Sequence, residues 1–106
     1  MIIPKQEFMF ESNGTQQTNY VEFDMGQQVT SATAVLEGMD VQFENQDDHN
    51  LGRLQVFLTT DVIGPGSSIV RVTAFFALRD WSGGDNDFNG DDPIKGTIHY
   101  SVLIDV

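Results

Sequence analysis

Apolar and polar residues alternate along most of this chain, and the alternation has a period of two. Between 69 and 79, Val70, Val72, Ala74, Phe76 and Leu78 share one parity. Between 95 and 105, Ile98, Tyr100, Val102 and Ile104 alternate with His99, Ser101 and Asp105. Such alternation places every second side chain on one face of a β-strand. The same pattern sets Val21, Phe23 and Met25 against Glu22 and Asp24. It also aligns Leu54, Val56, Leu58 and Val62, with Thr60 continuing the row. The pattern predicts six strands, at 7–11, 18–25, about 31–44, 53–62, 69–79 and 95–105. No segment carries a helical period of useful length.

Two departures from simple alternation are informative. In the third strand Ala34 and Leu36 share one parity, whereas Met39, Val41 and Phe43 share the other. One strand cannot keep a single face buried across that switch, so a β-bulge or bend is expected at Gly38. In the fifth strand Phe75 and Ala77 make the opposite face apolar too. Part of that face is therefore expected to be covered, by a loop or by a neighbouring subunit.

Turn chemistry separates the strands. Asn13-Gly14 is a strong short hairpin signal between the first two. Gly26-Gln27-Gln28, the polar run 45–50 and Gly64-Pro65-Gly66-Ser67-Ser68 mark further connections. Six strands with short turns, no repeat and no linker imply an all-β, six-stranded antiparallel β-sandwich forming a single domain over 1–106.

Composition narrows the functional classes. The chain has 106 residues, 40% of them hydrophobic, with eight Phe, which is enough for a packed core. Sixteen acids against five bases give a net charge of −11. That charge repels nucleic acid and anionic lipid and attracts cations. There is no Cys, which excludes a disulfide-stapled module and a thiolate metal site. The expectation is no nucleic-acid partner and no membrane insertion. No signal-peptide pattern or transmembrane run is evident, which leaves a cytoplasmic location or export by a non-classical route.

The most distinctive stretch is 81–93. It holds the only Trp, Trp81, and the series Asp85-x-Asp87-x-Asn89-Gly90-Asp91. Alternating oxygen-bearing side chains with a Gly after the third resemble the opening of a calcium loop, which wraps 6–8 oxygens around the ion. Position twelve of such a loop is Gly96 rather than a bidentate Glu, and no helix flanks it, so it is not an EF-hand. Asp85, Asp87, Asn89 and Asp91 are the candidate Ca²⁺ ligands. Asp, Asn and Gly are equally the residues of a solvated turn.

The order of features resembles an H-type lectin domain over about residues 18–104. The resemblance is carried by Val21-Glu22-Phe23, Leu36-Glu37-Gly38-Met39-Asp40, Gly52-Arg53-Leu54-Gln55-Val56, Ile69-Val70-Arg71-Val72-Thr73, Trp81 and His99-Tyr100-Ser101-Val102. It implies a six-stranded antiparallel sandwich that assembles into trimers or hexamers. It also implies a glycan ligand of the N-acetylgalactosamine type, bound between subunits. On that resemblance Arg53 and Trp81 are the carbohydrate-contacting residues, with Asp47 or Asp48 as the acidic partner. The segment 82–95 is longer than the family's turn, and the last strand lacks the family's usual Trp.

Catalytic chemistry has little support. His49 and His99 belong to no metal-binding spacing, and no Ser stands in a nucleophile elbow. The expectation is a non-enzymatic, carbohydrate-binding, oligomeric module, with a structural or assembly subunit as the alternative.

Overall fold

The computed structural model describes residues 1–12, 16–43, 51–80 and 94–106. It contains six strands: β1 (Ile2–Ser12), β2 (Gln16–Asp24), β3 (Ser31–Phe43), β4 (Leu51–Ile63), β5 (Ile69–Asp80) and β6 (Ile94–Asp105). A single 3₁₀ turn, Pro65–Ser67, is the only helical element among the described residues. The strands form two three-stranded sheets, ordered β1-β6-β3 and β2-β5-β4, and every pairing is antiparallel. The chain is an all-β, six-stranded antiparallel sandwich.

Five of the six strands follow the apolar alternation closely. β1 is longer than its pattern predicts, because Pro4 and Lys5 do not end it. They form a bulge: Ile3 pairs with Val102 and Gln6 with Tyr100, so Pro4 and Lys5 together oppose Ser101. Lys5 takes a left-handed φ of 58°, and the Gln6 side chain donates to the Pro4 carbonyl across the bulge at 3.1 Å. The bulge expected in β3 is present. Leu36 pairs with Tyr100 and Gly38 with His99, leaving Glu37 as the extra residue. That slip lets Ala32 and Ala34 face the core before it and Val41 and Phe43 after it.

Asn13-Gly14 lies outside the described residues, and the two strands it separates do not pair with each other. β1 pairs with β6 and β2 with β5, so this connection passes from one sheet to the other. Both strands carry apolar faces, with Phe8 and Phe10 on β1 and Val21 and Phe23 on β2. Those faces meet across the core instead of lying side by side. Among consecutive strands only β4 and β5 are paired neighbours. Their turn needs glycine at Gly64, whose φ of 87° and ψ of 173° suit no other residue. A Cβ there would also stand 2.9 Å from Ile69 Cδ1.

The core is built on the two central strands. Val70, Val72, Ala74, Phe76 and Leu78 of β5 are buried, as are Ile94, Ile98, Tyr100, Val102 and Ile104 of β6. Phe8 and Phe10 complete an aromatic row. Phe8 stacks on Tyr100 at 5.1 Å, and Phe10 stacks on Phe76 at 5.4 Å, bridging the sheets. Gly96 is the recess that admits Phe76. A Cβ on Gly96 would lie 3.0 Å from Phe76 Cζ and 2.9 Å from Val41 Cγ1. The sheets are also tied at one margin, where the Thr60 hydroxyl of β4 donates to the Ala32 carbonyl of β3 at 2.7 Å.

The two ends of the sandwich differ. At one, backbone hydrogen bonds join Met25 to Ser68, Val29 to Ser67 and Thr30 to Asp105, and Val29 is buried. Ser12, Gln16, Phe43, Leu51, Asp80 and Ile94 lie at the other. The connections 13–15, 44–50 and 81–93 all leave from there.

Two stability predictions follow from this core. Gly96→Ala overpacks Phe76 and Val41 and lowers unfolding free energy by about 1–3 kcal/mol in a urea titration. Gly38→Ala, with open space around it, changes it by less than ~1 kcal/mol. Tyr100 is 1% exposed, and burial pushes its phenol up from the ordinary 10 to about 12. The neutral phenol is therefore favoured in the folded chain. Its contribution is fully present below pH 10 and is lost as pH rises through about 12, an effect of roughly 3 kcal/mol. Stability measured between those pH values falls more steeply for the wild type than for Tyr100→Phe.

Candidate functional site

The outward faces of the two sheets have different chemistry. On sheet β1-β6-β3 the cross-strand rows near the loop-bearing end are Met9–Thr97–Asp40 and Glu11–Lys95–Gln42. These rows, with Phe10 and Gly96, line a surface groove of about 380 Å³. Inward-pointing alternate residues fix the strands against the core, so the outward ones are presented on a rigid support. Met9 is 72% exposed. Lys95 stands between Glu11 on one neighbouring strand and Gln42 on the other. The groove thus combines two carboxylates, an amide, an ammonium, a hydroxyl and an exposed thioether. It offers donors and acceptors beside an apolar surface.

Farther along the same face, His99 Nδ1 lies 3.8 Å from Glu7 Oε2, and the Ser101 hydroxyl donates to Glu37 Oε1. The outward face of sheet β2-β5-β4 is more aromatic. Phe57 and Phe75 are 5.8 Å apart in neighbouring strands, and Phe57 is 54% exposed. Arg71 donates to Glu22 Oε2 at 2.8 Å and lies 5.0 Å above the Tyr20 ring. Ala77 is fully buried and Phe75 only partly so, so the apolar second face of β5 is covered in part.

Arg53 sits in β4 on this aromatic face, exposed, with its backbone opposite Arg79. It does not share a face with the groove. Trp81, Asp47 and Asp48 lie outside the described residues, as do Asp85, Asp87, Asn89 and Asp91. Asp80, which precedes Trp81, pairs with Leu51, two residues from Arg53 along β4. Among the described residues no cluster of three or more His, Asp or Glu could hold a metal ion. No described helix is long and apolar enough to cross a membrane.

Sequence reasoning did not single out the groove residues Met9, Glu11, Asp40, Gln42, Lys95 and Thr97. Their signal is a shared outward parity, two residues apart on each of three strands. It becomes readable only once β1 and β3 are known to flank β6. Compared with known proteins, the chain matches no family model, no curated protein and no solved structure.

Proposed function

We propose that the protein is a carbohydrate-binding module of the lectin type that works as a homo-oligomer. The observation that carries this reading is the groove on sheet β1-β6-β3. Glu11, Asp40 and Gln42 supply acceptors for sugar hydroxyls. Lys95 and Thr97 supply donors, and Met9 offers an apolar surface to the C–H face of a pyranose. The groove opens to solvent, which suits weak single-site binding strengthened by several copies. Glycans of the N-acetylgalactosamine type are the first ligands to test. Asp85, Asp87, Asn89 and Asp91 would add a Ca²⁺ site in the connection that leaves the same end.

A second reading, an assembly subunit with no sugar ligand, draws on a different observation. Phe57 and Tyr20 are exposed large side chains on the outward face of the other sheet.

A glycan array probed with and without Ca²⁺ tests the first reading. Asp40→Asn and Lys95→Ala are expected to weaken binding to any positive glycan by about tenfold each, the loss of one charged hydrogen bond. Arg53→Ala leaves it within about twofold. Loss of binding with Arg53→Ala alone would move the site to the β4 face, and a blank array on folded protein would leave the assembly reading. For the metal, calorimetric titration into chelator-treated protein is expected to give a dissociation constant of roughly 10⁻⁴–10⁻³ M. The Asp85→Asn/Asp87→Asn variant abolishes the heat.

A further inference from the structure

We infer that two copies of the chain pair edge to edge through β4, antiparallel about a twofold axis at Phe57. The sheet β2-β5-β4 of one copy then continues into β4-β5-β2 of the other.

The four sheet edges are not equivalent. An edge strand presents backbone donors and acceptors to any partner strand unless something blunts it. β1 is blunted by the Pro4-Lys5 bulge and β3 by the bulge at Glu37. β2 is the shortest strand, and its Asn19 side chain accepts from the Tyr20 N–H at 2.8 Å, occupying an edge donor. β4 has none of these devices from 53 to 63. Its register with β5 is unbroken there, and the stretch contains no Pro and no Lys. Among the described residues no strand lies beyond it.

The β4 edge is also self-complementary. A twofold axis at Phe57 sets Arg53 opposite the partner subunit's Asp61, Gln55 opposite the partner subunit's Thr59, and Phe57 against its own copy. Symmetry repeats the Arg–Asp pair on the other side, so two opposite-charge pairs flank an aromatic contact. On the inward face Val56 meets the partner subunit's Leu58.

The core is also incompletely covered next to this edge. Leu36 and Met39 of β3 follow the inward parity, pairing with buried Tyr100 and Ile98, yet are 42% and 38% exposed. They belong to the β3/β4 side of the sandwich, where Thr60 of β4 bonds Ala32 of β3. A second copy seated on β4 covers that side.

This inference deepens the self-association part of the proposed function and does not depend on the groove taking a sugar. Glycan binding by an oligomer that does not cross-link through β4 would preserve that reading and remove this one, whereas a chain that stays monomeric would remove this inference together with the self-association part of that reading and leave only its carbohydrate-binding part.

Cysteine cross-linking tests the register, since the chain contains no Cys. Antiparallel partners stand about 4.5–5.5 Å apart at Cα, within disulfide reach. Gln55→Cys and Thr59→Cys proteins, mixed under mild oxidation, are expected to form a covalent dimer about tenfold faster than either alone. Phe57→Cys alone is expected to cross-link to itself at a comparable rate. Light scattering on the wild type is expected to show an even-numbered oligomer at submillimolar concentration. A monomeric wild type, or a mixture that cross-links no faster than the single variants, overturns the inference.

Discussion

The seating of the Phe76 ring over Gly96 is the contact on which the two sheets depend. Each sheet has only three strands, so only β5 and β6 have neighbours on both sides. Full burial is confined mostly to those two strands and to Phe8 and Phe10. Phe76 fills the space that the missing Cβ of Gly96 leaves, and Phe10 stacks on its other side. The aromatic row thereby fixes the relative position of the sheets. The overall shape reflects the narrow core. The sandwich measures 51 × 21 × 18 Å, with a radius of gyration of 16.2 Å. A compact domain of this length would have about 13 Å.

A core this narrow leaves its margins half covered, and the chain treats its two margins differently. On the β1/β2 side, Phe8 and Phe10 project far enough inward to be buried. On the β3/β4 side, the opposing residues are smaller or are displaced by the Glu37 bulge, and Leu36 and Met39 remain exposed. The inter-sheet bond from Thr60 to Ala32 holds this margin together with one polar contact rather than with aromatic packing. Part of the apolar surface left outside the core lies on β3, at Val35, Leu36 and Met39, and on β4 at Phe57, and an exposed apolar margin favours association there.

The parity of apolar residues in the sequence carries the strands themselves, including the break at Gly38. It does not carry their pairing. Asn13-Gly14 is a local signal for a hairpin, but whether two strands lie side by side or face to face is settled by what their apolar faces must cover. Phe8 and Phe10 cover the core from one sheet, Val21 and Phe23 from the other. For the same reason the groove was not legible. Met9, Asp40 and Thr97 are far apart in sequence and meet only because β6, the last strand, inserts between β1 and β3. The stretch through Pro4-Lys5 lies beyond the predicted strand 7–11 for another reason. Both residues argue against a strand interior, yet a bulge accommodates Pro's missing donor and Lys5's left-handed backbone, and β1 continues through them to Ile2. Of the carbohydrate-contacting residues that the H-type lectin resemblance implies, only Arg53 lies among the described ones, and it faces away from the groove.

Electrostatics decides how so acidic a chain can associate with itself. Seven of the sixteen acids, Glu44, Asp47, Asp48, Asp85, Asp87, Asp91 and Asp92, belong to connections that leave one end of the sandwich, and those connections hold no Lys or Arg. Parallel pairing of two copies would bring these ends together. Antiparallel pairing on β4 sends them to opposite ends of a slab 51 Å long. That separation is several times the screening length of about 8 Å at physiological ionic strength, so repulsion between the ends is largely removed. The paired stretch itself, 53–63, contains one Arg and one Asp and is neutral. The twofold contact is also compatible with larger assemblies. A hexamer of threefold-related subunits requires twofold contacts as well, and edge pairing on β4 leaves the groove on the other sheet facing outward in every copy.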